Sequence, residues 1–161
     1  MPHPSVISAT GALTVSYVKV YEAQNSGVEG GGAVPGWQTR VLNTEIDTDG
    51  VVTLSSNQLT FTTGTYDSLI FVPHYQTNGT TARLRNVTDG TTVLLGLDTY
   101  ATGGVGMYVP IVGRFTVAAS KALEVQMATQ DTTRPTTGLG KANGFTSTQE
   151  IYTVAEFWKV A

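Results

Sequence analysis

Only 13% of the 161 residues are charged, about half the share of an ordinary soluble domain, with 9 Lys and Arg against 12 Asp and Glu. A formal charge of -3 supplies no basic stripe for a nucleic-acid backbone, and the absence of cysteine removes disulfides, thiolate chemistry and cysteine metal sites. No apolar run nears the roughly 18 residues of a membrane span, and the N-terminus lacks the basic start and apolar block of a secretion signal.

The length suits one domain with a real core. Eighteen glycines, and threonine at about a sixth of the chain, favour strands and turns over helices. Residues 1–16 open with Pro2 and Pro4, which exclude a helix interior and favour an extended path. Val6, Ile7 and Leu13 make this arm apolar enough to pack, either as a first edge strand or as a docking arm on a larger partner.

Residues 17–161 form the domain. Tyr17 to Ala23 alternates, with Val18 and Val20 on one side and Tyr17, Lys19 and Tyr21 on the other. Asn25 to Gly36 is a glycine-rich loop without the Lys-Ser/Thr ending of a phosphate loop. Trp37 to Ile46 reads as a strand with a bend, and Asp47 to Gly50 as a turn. Tyr66 to Tyr75 is a long strand with Pro73 near its end. Asn78-Gly79 and Asp89-Gly90 predict two hairpin turns in series. Tyr100 to Pro110 reads as a loop or irregular strand, followed by strands over 111–117 and 122–129. Gln130 to Gly144 is a long polar loop, of the length usually given to function or contact. Strand after strand without a helix predicts an all-β antiparallel sandwich of about eight to ten strands.

Chemistry-bearing residues are sparse. His3 and His74 are the two histidines, too few for a histidine metal site, and His74 reads as structural rather than as a triad base. Asp47-x-Asp49-Gly50 opens like a calcium loop but lacks the later ligands, so it reads as a plain turn. Arg83, Arg85 and Arg114 read as solvated charges, or as a gathered contact for an anionic sugar. Trp37 and Tyr100 are the best candidates for a carbohydrate platform, with core or interface roles as the alternative. No catalytic site, cofactor or metal is expected.

The closing stretch Glu150 to Val160 organises the rest. It places Ile151, Thr153, Ala155 and Phe157 on one face and Tyr152, Val154, Trp158 and Val160 on the other, so both faces need cover. Leaving Tyr152, Val154 and Trp158 in water would forfeit about 1.5–3 kcal/mol each. A second copy of the chain is the expected cover.

The segment Asn57 to Tyr66, the strand-turn Arg83 to Gly90, the pair Phe115–Val117 with Leu123–Gln126, and the final Ala155 to Trp158 resemble the complement globular-head and tumour necrosis factor superfamily. Gly36 to Glu45 and Ala155 to Val160 look like the bacteriophage virion and fibre proteins that use this fold. The resemblance implies a jelly-roll homotrimer with Tyr17, Tyr21, Tyr152, Val154 and Trp158 at the subunit contact. It further implies a virion surface protein assembled in the host cytoplasm, whose arm docks on the major capsid protein or another virion component. The alternative is the receptor-binding knob of a tail or head fibre that touches host surface glycan.

Overall fold

A computed structural model describes residues 15–161. The strands are β1 (Ser16–Gln24), β2 (Gln38–Thr39), β3 (Thr44–Asp47), β4 (Val52–Ser55), β5 (Gln58–Phe61), β6 (Gly64–Tyr75), β7 (Asn78–Asn86), β8 (Thr91–Leu95), β9 (Thr99–Ala101), β10 (Gly106–Val117), β11 (Lys121–Thr129) and β12 (Glu150–Lys159). They form two antiparallel sheets. One runs β10-β6-β12-β1-β3, and the other β4-β5-β11-β7-β8, with β2 also on β11 and β9 also on β7.

Alternation decides which side chains meet between the sheets. β1 sends Val18 and Val20 inward, β6 sends Tyr66, Ile70 and Val72, and β12 sends Thr153, Ala155 and Phe157, all closed from solvent. Leu59, Phe61, Leu84, Leu123, Val125 and Met127 come from the facing sheet. Phe61 stands edge-on to Tyr66, Phe115 and Phe157 at 4.9, 5.4 and 4.9 Å, so four aromatic rings lock one end of the core.

Three stretches depart from the sequence expectation. The expected strand over 37–46 is split in two. β2 pairs with β11, and β3 pairs with β1 in the other sheet. Between them Arg40 turns inward and the chain crosses from sheet to sheet. The β6–β7 turn falls on Gln76 and Thr77, not on Asn78-Gly79. Gln76 and Asn78 take the positive φ values, 54° and 56°, while Gly79 is already in strand. The turn sits early because the Thr77 hydroxyl is held inside by His74 and Thr80, at 2.8 and 2.9 Å. Finally, β10 begins at Gly106, inside the stretch read as a loop or irregular strand, and is regular there because Gly106 to Pro110 pairs in register with Phe71 to Tyr75.

Candidate assembly face

The outer face of the five-stranded sheet is where the sequence expectation meets geometry. Register sets three rows across it. The first reads Arg114, Asp67, Trp158, Tyr17. The second reads Val112, Leu69, Glu156, Lys19, Ile46, and the third Pro110, Phe71, Val154, Tyr21, Thr44. Nine of these are large apolar or aromatic groups or proline. Val112 is 66% exposed, Ile46 48% and Phe71 39%. Tyr108 continues β10 beside the third row, edge-on to Phe71 at 6.4 Å.

Two polar pairs form on this face, while Lys19, between Glu156 and Ile46, has the Tyr21 ring at 5.4 Å. Tyr17 Oη donates to Glu156 Oε1 at 2.9 Å while its ring lies 5.6 Å from that of Trp158. Burial, then the Glu156 carboxylate, raise the Tyr17 hydroxyl's pKa. At one edge Arg114 grips Asp67 with two hydrogen bonds of 2.6 and 2.8 Å, which hold the Asp67 carboxyl below its usual range. The face is therefore apolar apart from Glu156 and Lys19 in its middle row, with the Arg114–Asp67 pair at one edge.

Tyr17, Tyr21, Val154 and Trp158 thus share one outward face. Tyr152 has the same parity but lies under the chain's own loops. It is 5% exposed, its hydroxyl donates to the Val28 carbonyl at 2.7 Å, and Gly30 and Gly140 lie against its ring. Burial pushes the Tyr152 pKa well above the ordinary tyrosine value, so the hydroxyl keeps its proton. Sequence reasoning passed over Leu69, Phe71, Val112 and Tyr108. The same signal exists in β6, where Leu69 and Phe71 alternate with Ser68, Ile70 and Val72, so both faces carry apolar residues. Val6, Ile7 and Leu13 lie outside the described residues.

The loops Asn25–Gly36 and 130–149 knit together at one end. Gly30 and Ala33 donate backbone bonds to Gly140 and Arg134, and Leu139 donates to Gly31. Glu150 closes the assembly by accepting from the backbone amides of Gly27, Asn143 and Gly144, and these bonds lower its pKa. A cleft of about 450 Å³ lies beside them, lined by Tyr75, Tyr108, Lys141, Asn143, Ile151 and Tyr152 among others. Lys141 Nζ stands 5.2 Å from the centre of the Tyr75 ring. Tyr108, Ile151 and Tyr152 also line a groove with Phe71 and Val154, so cleft and assembly face are continuous.

The arginines do not gather. Arg114 is on the outer face of β10, whereas Arg83 and Arg85 lie on β7 in the opposite sheet. Arg83 stacks on Trp37 at 3.9 Å and donates to Gln126 and Thr92, so the indole carries an intramolecular cation. His74 is 1% exposed, with its ring nitrogens on Thr77, Thr80 and Thr99. Burial, then the Arg40 charge, depress it to about 4. Among the described residues no carboxylate bonds the ring, so no triad is assembled on it. Asp47 spends its carboxylate on the amides of Asp49, Gly50 and Val52, as a turn residue does. Among the described residues no three His, Asp or Glu side chains converge as metal ligands.

Two facing antiparallel sheets in this order define a TNF-like jelly roll. Comparison with solved structures agrees. The globular domain of zebrafish complement 1qA protein superposes with a TM-score of 0.51 at 12% identity, over 91% of this chain and 97% of that one. Murine APRIL at pH 5.0 gives 0.57 at 11% identity, over 91% of this chain and 99% of that one. The pH 8.0 form gives 0.55 at 11%, with the same coverage. At these identities the likeness shows the fold. No protein-family model matches the sequence, and no curated protein matches it.

Proposed function

We propose that the chain is a non-enzymatic structural module that self-associates as a homotrimer through the outer face of its five-stranded sheet. The observation that carries this reading is the three-row apolar face. Exposed Val112, Phe71 and Ile46, with Leu69, Val154 and Trp158 between them, form one continuous surface that water covers at a cost. TNF-like and complement-head folds commonly form trimers, which favours three copies over two. A closed symmetric contact also avoids leaving any copy's face open.

Within that reading, the resemblance of Gly36–Glu45 and Ala155–Val160 to bacteriophage virion proteins supports a place on a virion surface. There the trimer decorates or cements the capsid, with residues 1–16 docked on the major capsid protein or another virion component. A second reading is a fibre knob that binds host surface polysaccharide. It is favoured by the exposed Tyr100 beside an open trough on the other sheet.

Light scattering tests the assembly. The full chain is expected at trimer mass, and Val112→Glu or Phe71→Asp at monomer mass with an unchanged circular dichroism spectrum. A monodisperse wild-type monomer overturns it. Deletion of residues 1–16 separates the two roles. Trimers that no longer bind particles support decoration, whereas trimers that bind host cells specifically support the knob.

A further inference from the structure

The seven-stranded sheet turns its outer face away from the proposed subunit contact. Near one end of that face lies a trough of about 420 Å³. Small residues keep its floor low: Gly79 and Thr81 on β7, and Ala128 on β11, which is paired with Thr81. Tyr100 pairs with Gly79 from β9, and Gln130 approaches from the other side. A Cβ built on Gly79 would stand 3.3 Å from Gln130 Oε1 and 3.9 Å from the Tyr100 ring, so these two side chains flank the glycine.

Tyr100 is 63% exposed and packs on no aromatic or cationic partner among the described residues. The polar groups beside it are uncommitted. Among the described residues Asp98 has no ion pair, and neither Asp98 nor Thr81 makes a side-chain hydrogen bond. Gln130 spends only its amide oxygen, on the Gly79 N–H, which leaves its NH₂ group to donate. Lower on the same face the situation is reversed. Arg83, Gln126, Glu124, Thr39 and Gln58 bond to one another and are used up.

We infer that this trough binds a neutral saccharide, its ring stacked on Tyr100 and its hydroxyls shared among Asp98, Gln130 and Thr81. An aromatic ring offers a sugar's C–H face a large contact at little entropic cost. A carboxylate, an amide donor and a hydroxyl supply the acceptors and donors that adjacent sugar hydroxyls need. The lining has a carboxylate and no cation, which disfavours sialylated, uronic or phosphorylated ligands. An extended peptide is disfavoured too, because β7 is paired on both sides here and offers no free strand edge. The volume lies within the range of small-ligand sites. The inference rests on the polysaccharide-binding reading and gives it a site, and it does not depend on the trimer contact.

Saturation-transfer NMR on the full chain tests it, with cellotriose, maltotriose and chitotriose as neutral probes and sialyllactose as the acidic one. At least one neutral trisaccharide is expected to receive saturation, with binding weakened roughly ten-fold or more in Tyr100→Ala and in Asp98→Ala. Both residues are exposed, so spectrum and oligomer mass are expected to stay unchanged. No transfer to any neutral sugar at millimolar concentration overturns the site. So does a preference for sialyllactose, or binding that survives both substitutions. Any of these results in protein of trimer mass removes the saccharide site and leaves the assembly standing.

Discussion

Arg40 and Glu22 face each other at 3.3 Å with neither side chain reaching solvent. The guanidinium also donates to Thr153 Oγ1 and the Leu139 carbonyl, both at 2.8 Å, so β1, β12 and the long 130–149 loop all meet on it. Burial pulls Arg40 down to about 10 and pushes Glu22 up, and their mutual attraction opposes both shifts. Arg40 stays charged at neutral pH. Arg40→Ala strands a buried carboxylate and is expected to cost about 3–5 kcal/mol in denaturant unfolding. The paired change Glu22→Leu with Arg40→Met is expected to cost much less, because no buried charge is left alone. Equal losses in the two variants would refute the pairing.

His74 makes stability depend on pH. Its folded pKa of about 4 lies below the ordinary 6.5, so the fold prefers the neutral ring. The unfolded chain binds the proton first, and stability falls as pH drops through 6.5 toward 4, by at most about 3 kcal/mol. Above 6.5 the contribution is complete. Melting of wild type and His74→Gln at pH 7.5, 5.5 and 4 checks this: the wild type is expected to lose more over that interval. Parallel losses would assign the decline to other groups.

Trp158 lies in the first row of the apolar face, beside Tyr17. Trp158→Ala is expected to give dissociated or aggregated protein, because a large share of the contact is removed from a partly covered position. A trimer of unchanged mass would show that the face is not the subunit contact.

At the β6–β7 turn the neighbours Asn78 and Gly79 are predicted to differ. Asn78 holds φ near 56°, where a β-branched side chain is strained, so Asn78→Val is expected to cost about 1–2 kcal/mol. Gly79→Ala is expected to be close to neutral, because its φ is ordinary and its Cβ would press only on the flexible Gln130 side chain. Equal melting temperatures for the two variants would contradict this turn.

Gly140 sits at φ 147°, and a Cβ there would run into the Tyr152 ring. Gly140→Ala is therefore expected to cost about 1–3 kcal/mol through overpacking. Tyr152→Phe, which only forfeits the bond to Val28, is expected to cost about 1 kcal/mol. Thermal melts of the two variants decide the order.

Strand chemistry was local and so legible in the sequence. Alternation in residues 17–21 and 153–158 determined which side chains of β1 and β12 point together, because successive residues must face opposite ways, whereas Ile151, inward by that count, is 43% exposed on the outer groove. It also determined that β12 needs cover on both faces. Two histidines and no cysteine gave the sequence no basis for a histidine- or cysteine-ligated metal site. Which strands lie side by side is a matter of non-local pairing, and the tertiary structure decided it. That pairing joined Leu69, Phe71 and Val112 to Trp158 in one surface, parted Arg114 from Arg83 and Arg85, and tucked Tyr152 beneath Gly140. It also put Tyr100 beside Gly79 and Gln130, from strands far apart in the chain. Arg40 is the sharpest case. Its sequence neighbourhood reads as a strand with a bend, and partners remote in the chain make its burial stable: a glutamate eighteen residues earlier, a loop carbonyl ninety-nine residues later and the Thr153 hydroxyl.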